Sequence, residues 1–394
     1  HLSSMLDNHE AISIGVIESL ADVPAAAWDA CVGTHNPFVR HAFLKTFEDS
    51  GAVCPETGWL AQHMIIEDGT GGIRACAPLY LKNHSYGEYV FDWAWADAFE
   101  RAGGRYYPKL QSAVPFTPVT GPRLMVRPGE SAPLHEALLG GMVHLAERLN
   151  VSSFHITFPT QDEWKLMGDA GLLQRVGQQY HWQNEGYATF DDFLAALSSR
   201  KRKAIRKERR AVADHGITFR TLVGNDITEC DWDVFFGFYL DTSDRKWGPA
   251  YLNREFFSRL HESMTDSVVL IMAECSGSPV GAALNLIGED TLFGRYWGCS
   301  ETFRFLHFET CYYQAIDFAI ANGLARVEAG AQGPHKIQRG YLPTPTYSAH
   351  WIADPALRNA VANFVEEERQ AIEFEQRELT QSSPFRKDAT FTAP

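Results

Sequence analysis

The sequence predicts an α/β (α+β) protein built as two successive halves of one plan, each a mixed, mostly antiparallel sheet flanked by helices. Three observations predict this. Segments that alternate apolar and polar residues, as strands do, interleave with segments whose apolar residues recur at helical spacing. The order strand, helix, helix, antiparallel strands, helix, strand, helix, strand can be read once before residue 185 and again after it, with no evident repeat of sequence. A chain of 394 residues is long enough for two or three domains, each with its own core. A gap in the periodic pattern at residues 185–189 places the boundary, giving units 5–187 and 188–394, the second including a basic helix over 191–215.

In the first half, residues 12–17 alternate like a strand and 23–31 read as a short helix near a proline. Residues 37–49 form a second helix, with Phe38, His41, Phe43, Leu44 and Phe47 as its apolar side. Strands over 59–67 and 72–82 are joined by the turn EDGTGG. An aromatic tract follows. Extended, it would place Tyr89, Phe91, Trp93, Trp95 and Asp97 on one face, because strand side chains alternate. Tyr86, Phe99, Tyr106, Tyr107 and Phe116 enlarge the cluster. It reads either as an aromatic core or as the wall of a cleft with Asp92, Asp97, Arg105 and Lys109 as polar members. Residues 103–122 are irregular and too long for a simple hairpin. A helix over 134–149, a strand over 152–158, a helix over 161–170 and a strand over 178–182 complete this half.

The second half opens on the helical stretch 191–215, then a strand over 217–223 and helices over 232–239 and 253–262. Strands over 268–274, 280–288 and 291–299 form a meander, the first two joined by CSGSP. A helix over 310–321, a short strand over 325–329, a glycine-rich loop, a strand over 348–352 and a terminal helix over 355–379 end the chain.

Composition narrows the function. Hydrophobic residues at 45% and charged residues at 21% describe a globular protein. No apolar run reaches the roughly 18 residues of a membrane span, and HLSSMLDNHE lacks the apolar core of a secretory signal. Seven scattered cysteines without a C-x-x-C pair fit a reducing, cytoplasmic compartment and neither a disulfide framework nor a metal site. The net charge of −14 argues against general nucleic-acid binding, yet RKRKAIRKERR at 200–210 contributes +7. Such density suits a phosphate backbone. A solvated helix pairing with the acidic remainder is the alternative.

The loop 330–341, GAQGPHKIQRGY, concentrates the chemistry. Its glycines and proline force tight turns and let backbone approach a ligand. His335 titrates near neutrality, while Lys336 and Arg339 are cations. Such a turn suits an anionic ligand or an acyl-transfer centre.

These stretches carry a resemblance. The second half resembles the GNAT acyltransferase superfamily, and the whole chain looks like the bacterial FemAB-like proteins of peptidoglycan biosynthesis or recognition. The resembling segments are EYVFDWAWADAFERAGGRYYPKLQ (88–111), PFTPVTGPRL (115–124), SSRKRKAIRKERR (198–210) and GAQGPHKIQRGY (330–341). The resemblance implies two tandem GNAT-like domains and N-acyl transfer to an amine on a small molecule or cell-wall precursor. It departs from acetyl-CoA-dependent members at SETFRFLH (300–307), which lacks their phosphate-binding glycines. Fem-type ligases, which use aminoacyl-tRNA, lack that pattern too. No tightly bound cofactor is expected, and acyl-CoA or aminoacyl-tRNA is the co-substrate, the latter bringing tRNA as a partner.

Acyl transfer needs a base, oxyanion donors and a hold on the donor's phosphates. The candidates for base are His335 and Glu328. Lys336, Arg339, Arg202, Arg206 and Arg304 are candidates for donor or phosphate binding. Trp95, Asp97, Tyr107, Lys109, Arg245, Lys246 and Tyr296 are candidates for the acceptor side, Arg245 and Lys246 in a loop after a helix. The rival reading is a non-catalytic scaffold that binds tRNA or a glycan.

Overall fold

The computed structural model describes residues 12–131, 133–246, 250–330 and 333–387. The first half contains β1 (Gly15–Ile17), α1 (Ala25–Val32), α2 (His41–Asp49), β2 (Trp59–Ala61), β3 (His63–Glu67), β4 (Ile73–Ala77) and β5 (Tyr80–Lys82). It continues with α3 (Trp93–Arg101), β6 (Lys109–Ser112), β7 (Met125–Val126), α4 (Leu134–Arg148), β8 (Ser153–Thr157), α5 (Gln161–Asp169) and β9 (Leu173–Gln183). The second half contains α6 (Phe190–Ala195), α7 (Ser199–Asp214), β10 (Ile217–Val223), α8 (Glu229–Lys246), α9 (Arg254–Ser263), β11 (Val268–Cys275), β12 (Ser278–Ile287) and β13 (Thr291–Cys299). It ends with α10 (Leu306–Phe308), a π turn over Glu309–Tyr313, α11 (Gln314–Ala321), β14 (Arg326–Glu328), β15 (Leu342–Ile352) and α12 (Pro355–Gln381).

Two sheets organise these elements. A four-stranded sheet runs β1-β3-β4-β7, and an eleven-stranded sheet runs β10-β11-β12-β13-β14-β9-β15-β8-β6-β5-β2. Among the described residues only β13–β14 and β6–β8 pair in parallel. The fold is therefore mixed α/β, mostly antiparallel, with helices against the sheets, as the sequence leads one to expect. Two strand assignments divide. Residues 59–67 and 72–82 each break into two strands that join different sheets, with the breaks at Gln62 and at Pro78–Leu79. Pro78 has no N–H to continue the ladder.

The large sheet takes strands from both sides of residue 187. β9, from the first half, pairs with β14 across Trp182 and Val327, and β15, from near the C-terminus, lies between β9 and β8. A core cluster crosses as well: Phe47 of α2 meets Phe256 of α9 at 5.0 Å, and Phe38 meets Phe293 of β13 at 5.0 Å. β11, VVLIMAEC, has its first six residues buried. That is what a continuous apolar run on an interior strand requires.

The stretch 191–215 is two helices. α6 starts with a capping box between Thr189 and Asp192 and ends at Ala195. The chain near the C-terminus fills the break: Ser198 N–H donates to the Pro384 carbonyl at 2.9 Å, and Arg386 N–H to that of Ala196 at 3.0 Å.

Candidate functional site

The extended aromatic face expected over 89–97 is corrected by the structure. Trp93–Arg101 is helix α3, so Tyr89, Phe91, Trp93, Trp95 and Asp97 do not share a face. Ala94, Ala96 and Ala98 favour helix over strand, and Arg101 pairs with Asp97 one turn back. Asp92, just before the helix, is buried and accepts from Lys109 Nζ at 2.7 Å and from Tyr106 Oη at 2.6 Å.

These contacts belong to a buried polar network that holds the loop between β5 and α3. Lys109 Nζ donates to Ser85 at 2.9 Å and Glu88 at 2.7 Å, while Lys82 Nζ donates to Glu88 at 2.5 Å and lies 3.6 Å from the centre of the Trp59 ring. Burial pulls down the pKa of both lysines. For Lys109 the charges of Glu88 and Asp92 outweigh it and the net shift is upward, whereas Lys82 falls to about 7. His155 and His350 meet Nδ1 to Nδ1 at 2.7 Å, both pushed down by burial and therefore neutral. Trp95 packs on both imidazoles, and Tyr107 Oη contacts Ser85 at 2.7 Å. Of the residues expected on the acceptor side, Trp95 and Lys109 are thus in the interior, Asp97 is on the exposed face of α3, and Tyr107 supports the loop from behind.

In front of that loop lies a cleft of about 420 Å³ between the two halves. The first half contributes Tyr86, Tyr89, Phe91, Trp93 and Phe116, and the second contributes Tyr239, Tyr251, Arg295, Tyr296, His307 and Gly330. Its location follows from strand geometry. β13 pairs with β14 only from Thr291 to Phe293, opposite Arg326 to Glu328. Beyond that the two strands part. The register of β12 against β13 jumps from Leu284–Tyr296 to Asn285–Gly294, so Arg295 is a bulged extra residue. A bulge re-aims side chains, and here it turns Arg295 and Tyr296 to the opening. Arg295 donates to the Phe116 carbonyl at 2.7 Å, while its buried Nε has no partner.

Glu328 ends β14 at the point where the strands part. Its side chain is 12% exposed, its Oε1 is 3.4 Å from His181 Nε2, and its Oε2 is buried without a partner. Burial raises its pKa to about 7. His181 contacts Gln179, which donates to the carbonyl of Pro118 on the cleft wall at 2.6 Å.

The loop that follows β14 is a 3-10 helix over Pro334–Arg339. Neither His335, Lys336 nor Arg339 lines the cleft. His335 Nε2 is 3.0 Å from Tyr312 Oη, and its pKa is lowered by burial and then by Arg339 and Lys336. Tyr312 in turn meets His307, which does line the cleft. Lys336 is buried, lowered to about 8, and donates to the Ala329 carbonyl at 2.8 Å, fixing the turn that carries Gly330. Arg339 pairs with Glu208 at 2.7 Å and lies 3.6 Å from the centre of the Phe308 ring.

The basic residues of α7 do not encircle it. Arg202 turns in to the carbonyls of Leu194 and Leu197, and Arg209 to Glu309 and Asp317. Arg200, Lys203, Arg206, Lys207 and Arg210 are exposed, and helical geometry gathers them on one arc. Arg206 lies 3.6 Å from Asp191, and Arg304 is exposed beside Phe305. Arg245 and Lys246 fall in the last turn of α8 rather than in a loop, because the helix runs on past Tyr239; their side chains lie outside the described residues. Among the described residues no group of three or more His, Cys, Asp or Glu could hold a metal, and no helix is long and apolar enough to cross a membrane.

Sequence reading passed over Arg295, His181 and Gln179. A signal for the first was present: two glycines, Gly294 and Gly298, within one predicted strand are a mark of a bulge.

A bulged sheet that opens between a parallel strand pair, set against a second, antiparallel sheet, defines a mixed α/β protein. The chain belongs to the FemAB-like family of peptidoglycan biosynthesis/recognition, whose model matches residues 19–387. Among solved structures it is similar to FemX, at 11% identity and a TM-score of 0.55, over 89% of this chain and 100% of that one. It is similar also to the C-terminal domain of an Agrobacterium fabrum protein, at 10% identity and a TM-score of 0.56, over 88% and 97%. L-PGS from Bacillus licheniformis matches at 11% identity and a TM-score of 0.50, over 85% and 98%. At such identities these likenesses concern the fold alone. Comparison with curated proteins returned no match.

Proposed function

We propose that this chain transfers an acyl or aminoacyl group from an activated donor to an amine, at the cleft where β13 and β14 part. The observation that carries the reading is Glu328: a buried carboxyl held near pH 7, with one oxygen unpartnered, two residues from cleft-lining Gly330. The amine arrives as ammonium. Ionised Glu328 takes its proton, directly or through a water, and the nitrogen lone pair attacks the donor carbonyl. The C–N bond forms, and the thiolate of coenzyme A or the terminal ribose oxygen of tRNA leaves and is protonated. Arg295 offsets the negative charge that builds on the carbonyl oxygen. His335, linked to the cleft through Tyr312 and His307, is the second candidate for base.

The units 5–187 and 188–394 would each supply one wall. The exposed arc of α7 supports aminoacyl-tRNA as donor, since five cations on one side match a phosphate backbone. The amine would belong to a small molecule or cell-wall precursor, and the reaction would take place in the cytoplasm, where both kinds of donor are made. The same arc would serve a protein that only binds tRNA. A transfer assay with charged tRNA and acyl-CoA separates the two. Glu328→Gln should lower the rate by about 10²–10⁴. Wild-type rates in both Glu328→Gln and His335→Ala would remove the base, and binding without transfer from any donor would remove the enzyme.

A further inference from the structure

The lining of the cleft is unusual for a site expected to meet polar substrates. Among the described residues it contains no Asp, Glu, Asn or Gln, the groups that pair with sugar hydroxyls. It is instead dominated by rings, with the hydroxyls of Ser85, Thr242 and Ser243 among them. Tyr86, Phe91 and Trp93 stand at the rim, 54%, 55% and 40% exposed, which is uncommon for large apolar side chains unless they meet a partner. Opposite them Tyr251 stacks on Phe116, centroids 4.8 Å apart. Tyr89 and Phe116 both hold φ near +60° (62° and 55°), a conformation bulky residues avoid and that persists chiefly at functional sites. Among the described residues of the lining the fixed cation is Arg295, whose Nε is unpartnered. The space is that of about fourteen waters, more than one amino-acid side chain fills.

We propose that this cleft binds an unbranched hydrocarbon chain, polar head at Arg295 and tail along the aromatic rim. The proposal rests on the transferase reading for its setting and names the substrate class of that site. The chain would be the acyl group of the donor, its carbonyl end at Arg295.

Calorimetric titration of the whole protein with saturated carboxylates of ten, twelve and fourteen carbons, and with alkylamines of the same lengths, tests it below their micelle concentrations. Affinity should rise about fourfold per added methylene until the cleft is full. A tighter carboxylate series supports the head at Arg295 and assigns the chain to the donor; a tighter amine series, whose ammonium a guanidinium repels, overturns that placement. Phe91→Ser and Trp93→Ser, both at exposed positions, should each weaken binding at least tenfold with an unchanged melting temperature; Tyr86→Ser is the substitute if either melts early. No binding, no dependence on length, or full affinity in the rim variants overturns the proposal. Because no donor is present, a protein that binds chains but transfers nothing loses only the transferase reading. One that transfers but binds no chain loses only this one.

Discussion

Replacing Glu328 with glutamine should stabilise the protein, and more at alkaline than at acid pH. Burial raises this carboxyl from 4.5 to about 7. Between those values the folded protein holds a proton that the unfolded chain has released, so stability falls as pH climbs through the window. From the two pKa values the carboxyl costs about 1.4 kcal/mol at pH 5.5 and about 3.4 kcal/mol at pH 8.5. Glutamine has the same shape and no titration. The variant should therefore gain about 2 kcal/mol over wild type between the two pH values, whatever constant offset its amide brings. Urea unfolding of both proteins at pH 5.5 and 8.5 reads the difference directly. An equal gap at both pH values would show that the carboxyl is not buried near neutrality, and the proposed base would lose its physical ground. Loss of transfer activity in the same variant would then have to be explained by geometry alone.

Three other outcomes follow from named contacts. Lys109→Met should destabilise by about 3–5 kcal/mol in urea, because Glu88 and Asp92 would remain buried without their shared cation. The double charge reversal Lys203→Glu/Lys207→Glu should leave the melting temperature unchanged and lower the slope of log affinity for tRNA against log salt by about two, whereas Arg209→Ala should cost about 1.5–3 kcal/mol of stability through lost bonds to Glu309 and Asp317. Gly298→Ala would set a Cβ on the backbone carbonyl of Phe238. Unlike a side-chain tip, that carbonyl cannot rotate aside, so α8 must lift from β13 at about 1–3 kcal/mol, visible as a lower urea midpoint.

Local pattern made the element types legible, because burial on one face leaves a period in the sequence. The run VVLIMAEC announces an interior strand, and HAFLKTFED a one-sided helix. What escaped was the identity of partners. Nothing in residues 173–183 says that they pair with β14 and β15 instead of with their own half, since one apolar face fits either neighbour. The tract 88–97 misled for a related reason: aromatic side chains favour strands only where a ladder is available. Here Asp92 and Glu88 are tied to Lys109, leaving Trp93 to begin a helix.

The same logic bears on the candidate site. Cations attract attention in a sequence because charge is written in the residue name, yet Lys336, Arg339, Arg202 and Lys109 each donate to carbonyls, hydroxyls or carboxylates of the fold itself. Glu328 is the reverse case. It looks ordinary in the sequence, and its unusual pKa comes entirely from being placed at the end of β14 between a bulged strand and a strand of the other half. A carboxyl kept there costs stability, and a chain that needed only structure would do better with glutamine at that position. That cost is the strongest physical argument that position 328 is kept for chemistry, and the pH dependence of the glutamine variant measures it.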